Sequence, residues 1–209
     1  LDFRSLDEEV RPVNAAHLKF CASPEWAEIV RNEVLPWAVG DRDLGDDVLE
    51  VGAGPGLTTD VLRHRVPRLT AVEIDEELAT ALRRRLHGSN VDVVHADGTN
   101  LPFESGRFSA ATTFSTLHHV PSVELQDELL AELLRVLRPG GLLVGSDSVA
   151  GDELDEFHVG DTYVPCDPAG MPTRLAAIGF VNIHVERADL TDQRLAWARA
   201  RFRFVATAP

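Results

Sequence analysis

The stretch Val48 to Thr59, V-L-E-V-G-A-G-P-G-L-T-T, restricts what this 209-residue chain can fold into more than any other. Val48, Leu49 and Val51 make the apolar run of a short strand covered on both faces. Gly52, Gly54 and Gly56 follow at two-residue spacing, where a Cβ would hold a ligand away from the backbone. A helix is expected to open at Leu57, and backbone N–H groups at such a helix start can grip the polar end of a nucleotide-like molecule. Strand, glycine loop and helix in that order form the first unit of a parallel α/β sheet.

The alternation continues along the chain. Helices expected near Leu57 to His64, Asp75 to Leu86 and Val123 to Leu137 are separated by apolar strands ending near Glu73, Asp97 and Phe114. Residues 1–47 read as an N-terminal helical annex. In it Ser23 serves as N-cap, Pro24 takes the first helical position, and Trp26, Ile29, Val30, Glu33, Val34 and Trp37 form one stripe. Residues 48–209 read as the main domain, the whole chain forming one compact unit. Residues 148–170 break the rhythm as an irregular acidic segment, and such segments are often lids or binding loops. Phe180 to Glu186 and Phe202 to Thr207 alternate as two closing strands.

Carboxylates stand at the ends of two of these strands. Glu73 closes the second, about 20 residues beyond Gly52, where an acid can accept two hydrogen bonds from a ribose diol. Asp75 is the better N-cap for the next helix, which leaves Glu73 free for a ligand. Dinucleotide enzymes use the same device, but their G-x-G-x-x-G/A loop needs a small sixth residue, and Leu57 stands there. Asp97-Gly98 ends the third strand, followed by Leu101-Pro102-Phe103.

Taken in order, these segments resemble the motifs of class I S-adenosylmethionine-dependent methyltransferases of the small-molecule, quinone-biosynthesis-like type. E-x-G-x-G-x-G from Glu50 resembles motif I, and Asp97-Gly98 with Leu101 to Phe103 resembles the adenine-binding segment. Ser115 to His119 resembles the S-x-L-H-H turn after the fourth strand, and Leu133 to Val144 the helix, Pro-Gly-Gly break and fifth strand. Pro55, Glu73 and Ser109 depart from the usual residues. The resemblance implies a Rossmann-like, seven-stranded, mostly parallel α/β sheet with an antiparallel closing strand and helices on both faces. It implies S-adenosyl-L-methionine as cofactor, held by Glu50, Gly52, Ala53, Gly54, Gly56, Glu73, Ile74, Asp97, Gly98 and Phe114. The reaction it implies is in-line displacement at the methyl carbon, with little covalent or metal assistance.

Composition narrows the acceptor. A net charge of −14, from 34 acids against 20 bases, disfavours a nucleic-acid partner and suits a small neutral or cationic molecule. Arg83 to Arg85 sit where cations complement a helix C-terminus; Arg199, Arg201 and Arg203 form a second basic group. The D/N-P-P-Y signature of base-modifying enzymes is missing after the fourth strand, and Pro165-Cys166 lies too late in the chain for a cytosine-type nucleophile. No apolar run reaches the roughly 20 residues of a membrane span. No signal-peptide pattern opens the sequence, and two distant cysteines, Cys21 and Cys166, fit a reducing cytoplasm. No metal is expected, since no ligands stand at metal-site spacing.

His118, His119, His158 and Tyr163 are the candidate proton handlers, the first two at the carboxyl edge of the sheet. The plainer reading has one of His118 and His119 packing beneath the cofactor and the other capping the next helix. The annex around His17 and Phe20 is expected to close over the site together with residues 148–170. Two other functions stay open at this point: a non-catalytic S-adenosylmethionine-binding protein and, less favoured, an NAD-dependent oxidoreductase.

Overall fold

The computed structural model describes residues 13–188 and 201–209. Arg199, the first 12 residues of the annex and the approach to the last strand lie outside the described residues. Seven strands form one sheet: β1 (Asp47–Val51), β2 (Arg68–Glu73), β3 (Val91–His95), β4 (Phe108–Phe114), β5 (Leu137–Ser148), β6 (Val181–Arg187) and β7 (Arg201–Thr207). Their order is β3-β2-β1-β4-β5-β7-β6. The first five run parallel, and β7 pairs antiparallel with both β5 and β6. The order reverses at β1, which is flanked by β2 and β4 with all three carboxyl ends at the same edge. Ligands of open α/β sheets collect outside the carboxyl ends at such a point.

Alternation along each strand divides the core between the two faces of the sheet. Leu49, Val51, Ala111 and Leu143 pack with Leu129, Leu130 and Leu133 of α6 (Val123–Val136) and with α8 (Met171–Ile178). Val48, Ala110 and Val144 face Trp26, Val30, Leu35 and Leu62 on the other side. That second layer is made by α1 (Ala15–Cys21), α2 (Pro24–Ile29), α3 (Leu35–Val39) and α4 (Leu57–Leu62). The annex is therefore part of the core. Helix α5 (Glu76–Arg85) covers β2 and β3, with Asp75 capping it through Leu78 N–H.

The annex departs from the simple helical stripe. Between α2 and α3, residues Val30–Val34 form a π turn in which Leu35 N–H reaches back to the Val30 carbonyl. Pro36 explains it: proline has no N–H to continue an α-helical ladder and crowds the preceding turn. The extra residue rotates the face, so that Leu35, Ala38 and Val39 are fully buried while Trp37 is only half-buried.

The segment expected to be irregular contains a helix, α7 (Asp152–Phe157), with Leu154 buried beneath it. Ser109 also has a defined role. Its hydroxyl donates toward the carbonyls of Leu44 and Asp47, at 2.7 and 2.8 Å, and accepts from Asp47 N–H, fixing the chain as it enters β1.

Candidate active site

The glycine loop turns on three left-handed residues, Gly52 (φ 82°), Gly54 (φ 53°) and Gly56 (φ 89°). The reasons for the three glycines differ. A Cβ on Gly52 would lie 2.1 Å from Thr116 Oγ1, and one on Gly56 would lie 2.4 Å from Leu82 and Arg85. Those two are glycines because protein packs against them. A Cβ on Gly54 would meet nothing within 4 Å, so this position alone faces open space.

The loop's donors are already committed. Gly52 and Ala53 N–H both donate to the Val72 carbonyl, Gly56 N–H donates to Ala53, and Pro55 has none. Gly54 N–H donates to Glu73 Oε2 at 2.6 Å. These bonds commit the N–H groups of Gly52, Ala53, Gly54 and Gly56 to the protein, which separates two classes of cofactor. A pyrophosphate needs such donors, whereas a molecule carrying ammonium and sulfonium charges needs room and acceptors.

Glu73 is likewise not idle. Besides Gly54, Asp75 N–H donates to its Oε1 at 3.0 Å, so the carboxylate is clamped between two backbone groups. A carboxylate has about four acceptor sites, and two bonds leave capacity for a diol. Ile74 beside it is 58% exposed, an apolar surface at the mouth of the site. Asp97 is half-buried and accepts Thr99 N–H on Oδ1 at 2.8 Å. Gly98 is buried because a Cβ there would press on Val51 and Leu129. Glu50 lies beneath the loop, 1% exposed, with the Thr58 and Thr59 hydroxyls donating to its two oxygens. Burial pushes its pKa up to about 7 against those hydrogen bonds. Phe114 is buried in the core cluster that contains Trp26 and Val30.

A second cluster begins next to the loop, since Thr116 both fills the space beside Gly52 and bonds to the Val51 carbonyl. A 3-10 turn, Leu117–His119, follows β4. His118 is buried, with Nδ1 2.5 Å from Asp147 Oδ1 at the end of β5. Asp147 also accepts N–H groups from Leu117 and Ser148. Burial would raise its pKa, but His118, the buried Arg201 guanidinium and the Ser148 N–H together hold it below the usual carboxylate range. An ionised Asp147 takes the Nδ1 proton of His118 in a hydrogen bond, which leaves Nε2 with the lone pair.

Around this pair the annex and the α7 segment close. His17 of α1 bonds through Nδ1 to Asp161 Oδ2 at 3.0 Å, and Asn14 reaches Asp161, Phe157 and Val159. Phe20 packs edge-on against Phe157. His158 stacks on Tyr163 with centroids 4.1 Å apart. The Tyr163 hydroxyl is buried with no hydrogen-bond partner among the described residues, and burial raises its pKa to about 12.

Comparison with known proteins points to methyltransferases. Residues 49–145 match the family model described as "Methyltransferase domain". A demethylmenaquinone methyltransferase from Clavibacter sepedonicus is 40% identical over 101 residues, which cover 48% of this chain and 40% of that protein. Residues 49–145 of the chain thus resemble a methyltransferase domain. A phthiotriol/phenolphthiotriol dimycocerosates methyltransferase from Mycobacterium ulcerans is 30% identical over 145 residues, covering 68% of this chain and 50% of that protein. Phosphoethanolamine N-methyltransferase 2 of Haemonchus contortus, solved with S-adenosyl-L-methionine, superposes with a TM-score of 0.73 at 15% identity. That match covers 100% of this chain and 60% of the other. The chain thus spans half or less of the length of these curated relatives.

The structure gathers Gly52, Ala53, Gly54, Gly56, Glu73, Ile74, Asp97 and Gly98 at the carboxyl ends of β1, β2 and β3, while Glu50 is buried beneath the loop and Phe114, at the end of β4, lies in the core cluster with Trp26 and Val30. It gathers all four candidate proton handlers, with His17, at the ends of β4 and β5. Two residues of the domain were not singled out in the sequence. Asp147 carried the same signal as Glu73 and Asp97, an acid ending a buried strand. Arg201 appeared only as part of a basic group, yet it is 1% exposed and bonds Ser115 and Ser146.

Proposed function

We propose that the protein transfers the methyl group of S-adenosylmethionine to a small organic acceptor, with His118 taking the acceptor's proton. The observation that carries this reading is the buried His118–Asp147 pair, one turn from the loop residue that packs on Gly52. A lone pair on the acceptor's nucleophilic atom attacks the methyl carbon, and the S–CH3 bonding pair returns to sulfur, giving neutral S-adenosylhomocysteine. The proton lost by the nucleophile passes to Nε2 of His118, and the ionised Asp147 stabilises the resulting imidazolium.

Glu73 and Asp97 are proposed to receive the ribose diol and the adenine amine, with Ile74 lying against the base. Gly54 leaves room for the methionine part. Closure by α1 and α7 keeps water from the site and brings acceptor and methyl group together, which is where the protein's contribution to such a displacement lies. The acidic surface, net −14, favours a neutral or cationic acceptor.

The test has two parts. Calorimetry should give micromolar binding of S-adenosylhomocysteine and none of NAD; the reverse would defeat the reading. With an acceptor panel, Asp147→Asn should lower turnover by about 100-fold or more, the scale of general-base catalysis, while cofactor affinity stays within about threefold, roughly 0.7 kcal/mol. Cofactor binding without methyl transfer to any acceptor would leave a binding protein instead of an enzyme.

A further inference from the structure

Three histidines that the proposed proton transfer does not use stand together beside His118. His17 comes from α1, His119 from the turn after β4, and His158 from the end of α7. One ring nitrogen of each lies within 4.8 Å of the others. Their rings contact one another, with centroid distances of 5.0, 4.7 and 5.4 Å.

We propose that His17, His119 and His158 together bind one divalent transition-metal ion, with zinc the best match. The orientation of the rings supports it. Nδ1 of His17 faces Asp161 Oδ2 at 3.0 Å, Nδ1 of His119 faces the Thr162 carbonyl at 3.2 Å, and Nδ1 of His158 faces the Leu154 carbonyl at 2.6 Å. A carbonyl only accepts, so the Nδ1 atoms of His119 and His158 carry the proton, and the Asp161 carboxylate draws the same tautomer in His17. In each ring Nε2 is then the lone-pair nitrogen, the state of a metal-ligating imidazole whose other nitrogen is held by a carboxylate or carbonyl.

An unmet need for a partner points the same way. Nε2 of His158 is buried without any hydrogen-bond partner among the described residues. A buried acceptor that accepts nothing calls for an explanation, and an ion is one that also accounts for its neighbours. Tetrahedral zinc with Zn–N bonds of about 2.0–2.1 Å sets ligand nitrogens roughly 3.4 Å apart. The rings would have to close in on the ion from the present spacing of up to 4.8 Å.

Three imidazoles without a thiolate suit zinc and leave its fourth position open. The ion would tie the annex and α7 to the sheet. An acceptor oxygen in the open position, next to His118, would lose its proton more readily. That second role rests on the methyl-transfer reading; the ion site itself does not.

The experiment uses the untagged chain, stripped with a chelator and titrated with zinc, then with cobalt as a coloured substitute. The expected result is one ion per chain, a raised melting temperature, and the intense visible absorption of four-coordinate cobalt. His158→Gln and His119→Gln should each weaken zinc binding more than about 100-fold, and Asp161→Asn, which only orients His17, about 10–100-fold. His184→Ala, on β6 and exposed, should change nothing. Absence of one-to-one binding by the folded parent, or binding that survives both glutamine variants, overturns the proposal. The parent titration decides the matter even where a variant fails to fold. S-adenosylhomocysteine calorimetry on the same stripped sample separates the two readings: its failure with zinc bound defeats methyl transfer alone, and the reverse defeats the ion site alone.

Discussion

The two halves of the sheet's carboxyl edge are built in opposite ways. On the β1–β3 side the site is made of backbone. Glycines turn the chain, strand-end carboxylates clamp the turns, and each functional residue lies within a few positions of the strand that places it. On the β4–β5 side it is made of imidazoles brought from three distant segments and held by Asp147, Asp161 and two carbonyls. The first half is held by the pairing of neighbouring strands. The second is assembled only when the annex and α7 meet over the sheet, so its geometry rests on contacts between segments far apart in the sequence.

The sharpest way to break that comparison lies within the glycine loop. Gly52→Ala puts a Cβ 2.1 Å from Thr116 in a left-handed backbone and should cost stability of about 3 kcal/mol or more. Gly54→Ala meets open space and should cost only the backbone strain, about 1–2 kcal/mol, while weakening cofactor binding disproportionately. Denaturant melts and calorimetry on both variants check this. Equal losses of stability would mean the loop is packed alike at both positions and that Gly54 does not face a ligand.

How much of each half could be read in the sequence follows from the same difference. Strand, glycine loop, Glu73 and Asp97-Gly98 are local patterns, and the fold built on them is the one observed. What stayed hidden depends on register and packing. That Asp147 meets His118 requires knowing that β5 lies against β4. That His17 meets His119 and His158 requires knowing where the annex docks. The commitment of the loop's N–H groups to Val72 and Glu73 depends on β1 pairing with β2. Two local misreadings had visible signals: Pro36 breaking the annex stripe, and Leu154, Phe157 and His158 at helical spacing in the segment expected to be irregular.

A pH experiment sharpens the cofactor half. Glu50 has a folded pKa of about 7, while an unfolded glutamate titrates near 4.3. Between those values the unfolded chain has lost the proton and the folded chain has kept it, so stability falls as pH rises and levels off above about 7. The loss from this one group is up to about 4 kcal/mol, with Asp60 and Glu73 nearby adding to the burial that raises it. Glu50→Gln should flatten that part of the profile. Identical slopes for parent and variant between pH 5 and pH 7 (the span in which the difference builds up) would show that Glu50 is ionised in the folded state.

Glu73 and Asp97 should differ from each other by less. Glu73→Ala should weaken S-adenosylhomocysteine binding by about 1.5–3 kcal/mol, the scale of hydrogen bonds to a charged group, and should also loosen the loop by freeing Gly54 N–H. Asp97→Asn keeps an acceptor and should lose less than Asp97→Ala. Equal, negligible effects of the two Asp97 variants would remove the adenine contact from the proposed site.

The smallest effect tests the acceptor half, and its sign is informative. The Tyr163 hydroxyl is buried without a partner among the described residues, beside the stacked His158 ring. A buried hydroxyl with no partner carries an unrecovered desolvation cost, so Tyr163→Phe should leave stability unchanged or raise it by up to about 1 kcal/mol. A residue serving only to pack would show no other change. A hydroxyl kept unpaired for the acceptor would show lower turnover with cofactor affinity intact, because the group lost is one that pairs only when the acceptor is bound. Thermal melts with initial rates on the parent and the Tyr163→Phe variant decide between these. A variant less stable than the parent would reveal a partner for the hydroxyl in the resting enzyme, and unchanged turnover would return Tyr163 to the packing of His158.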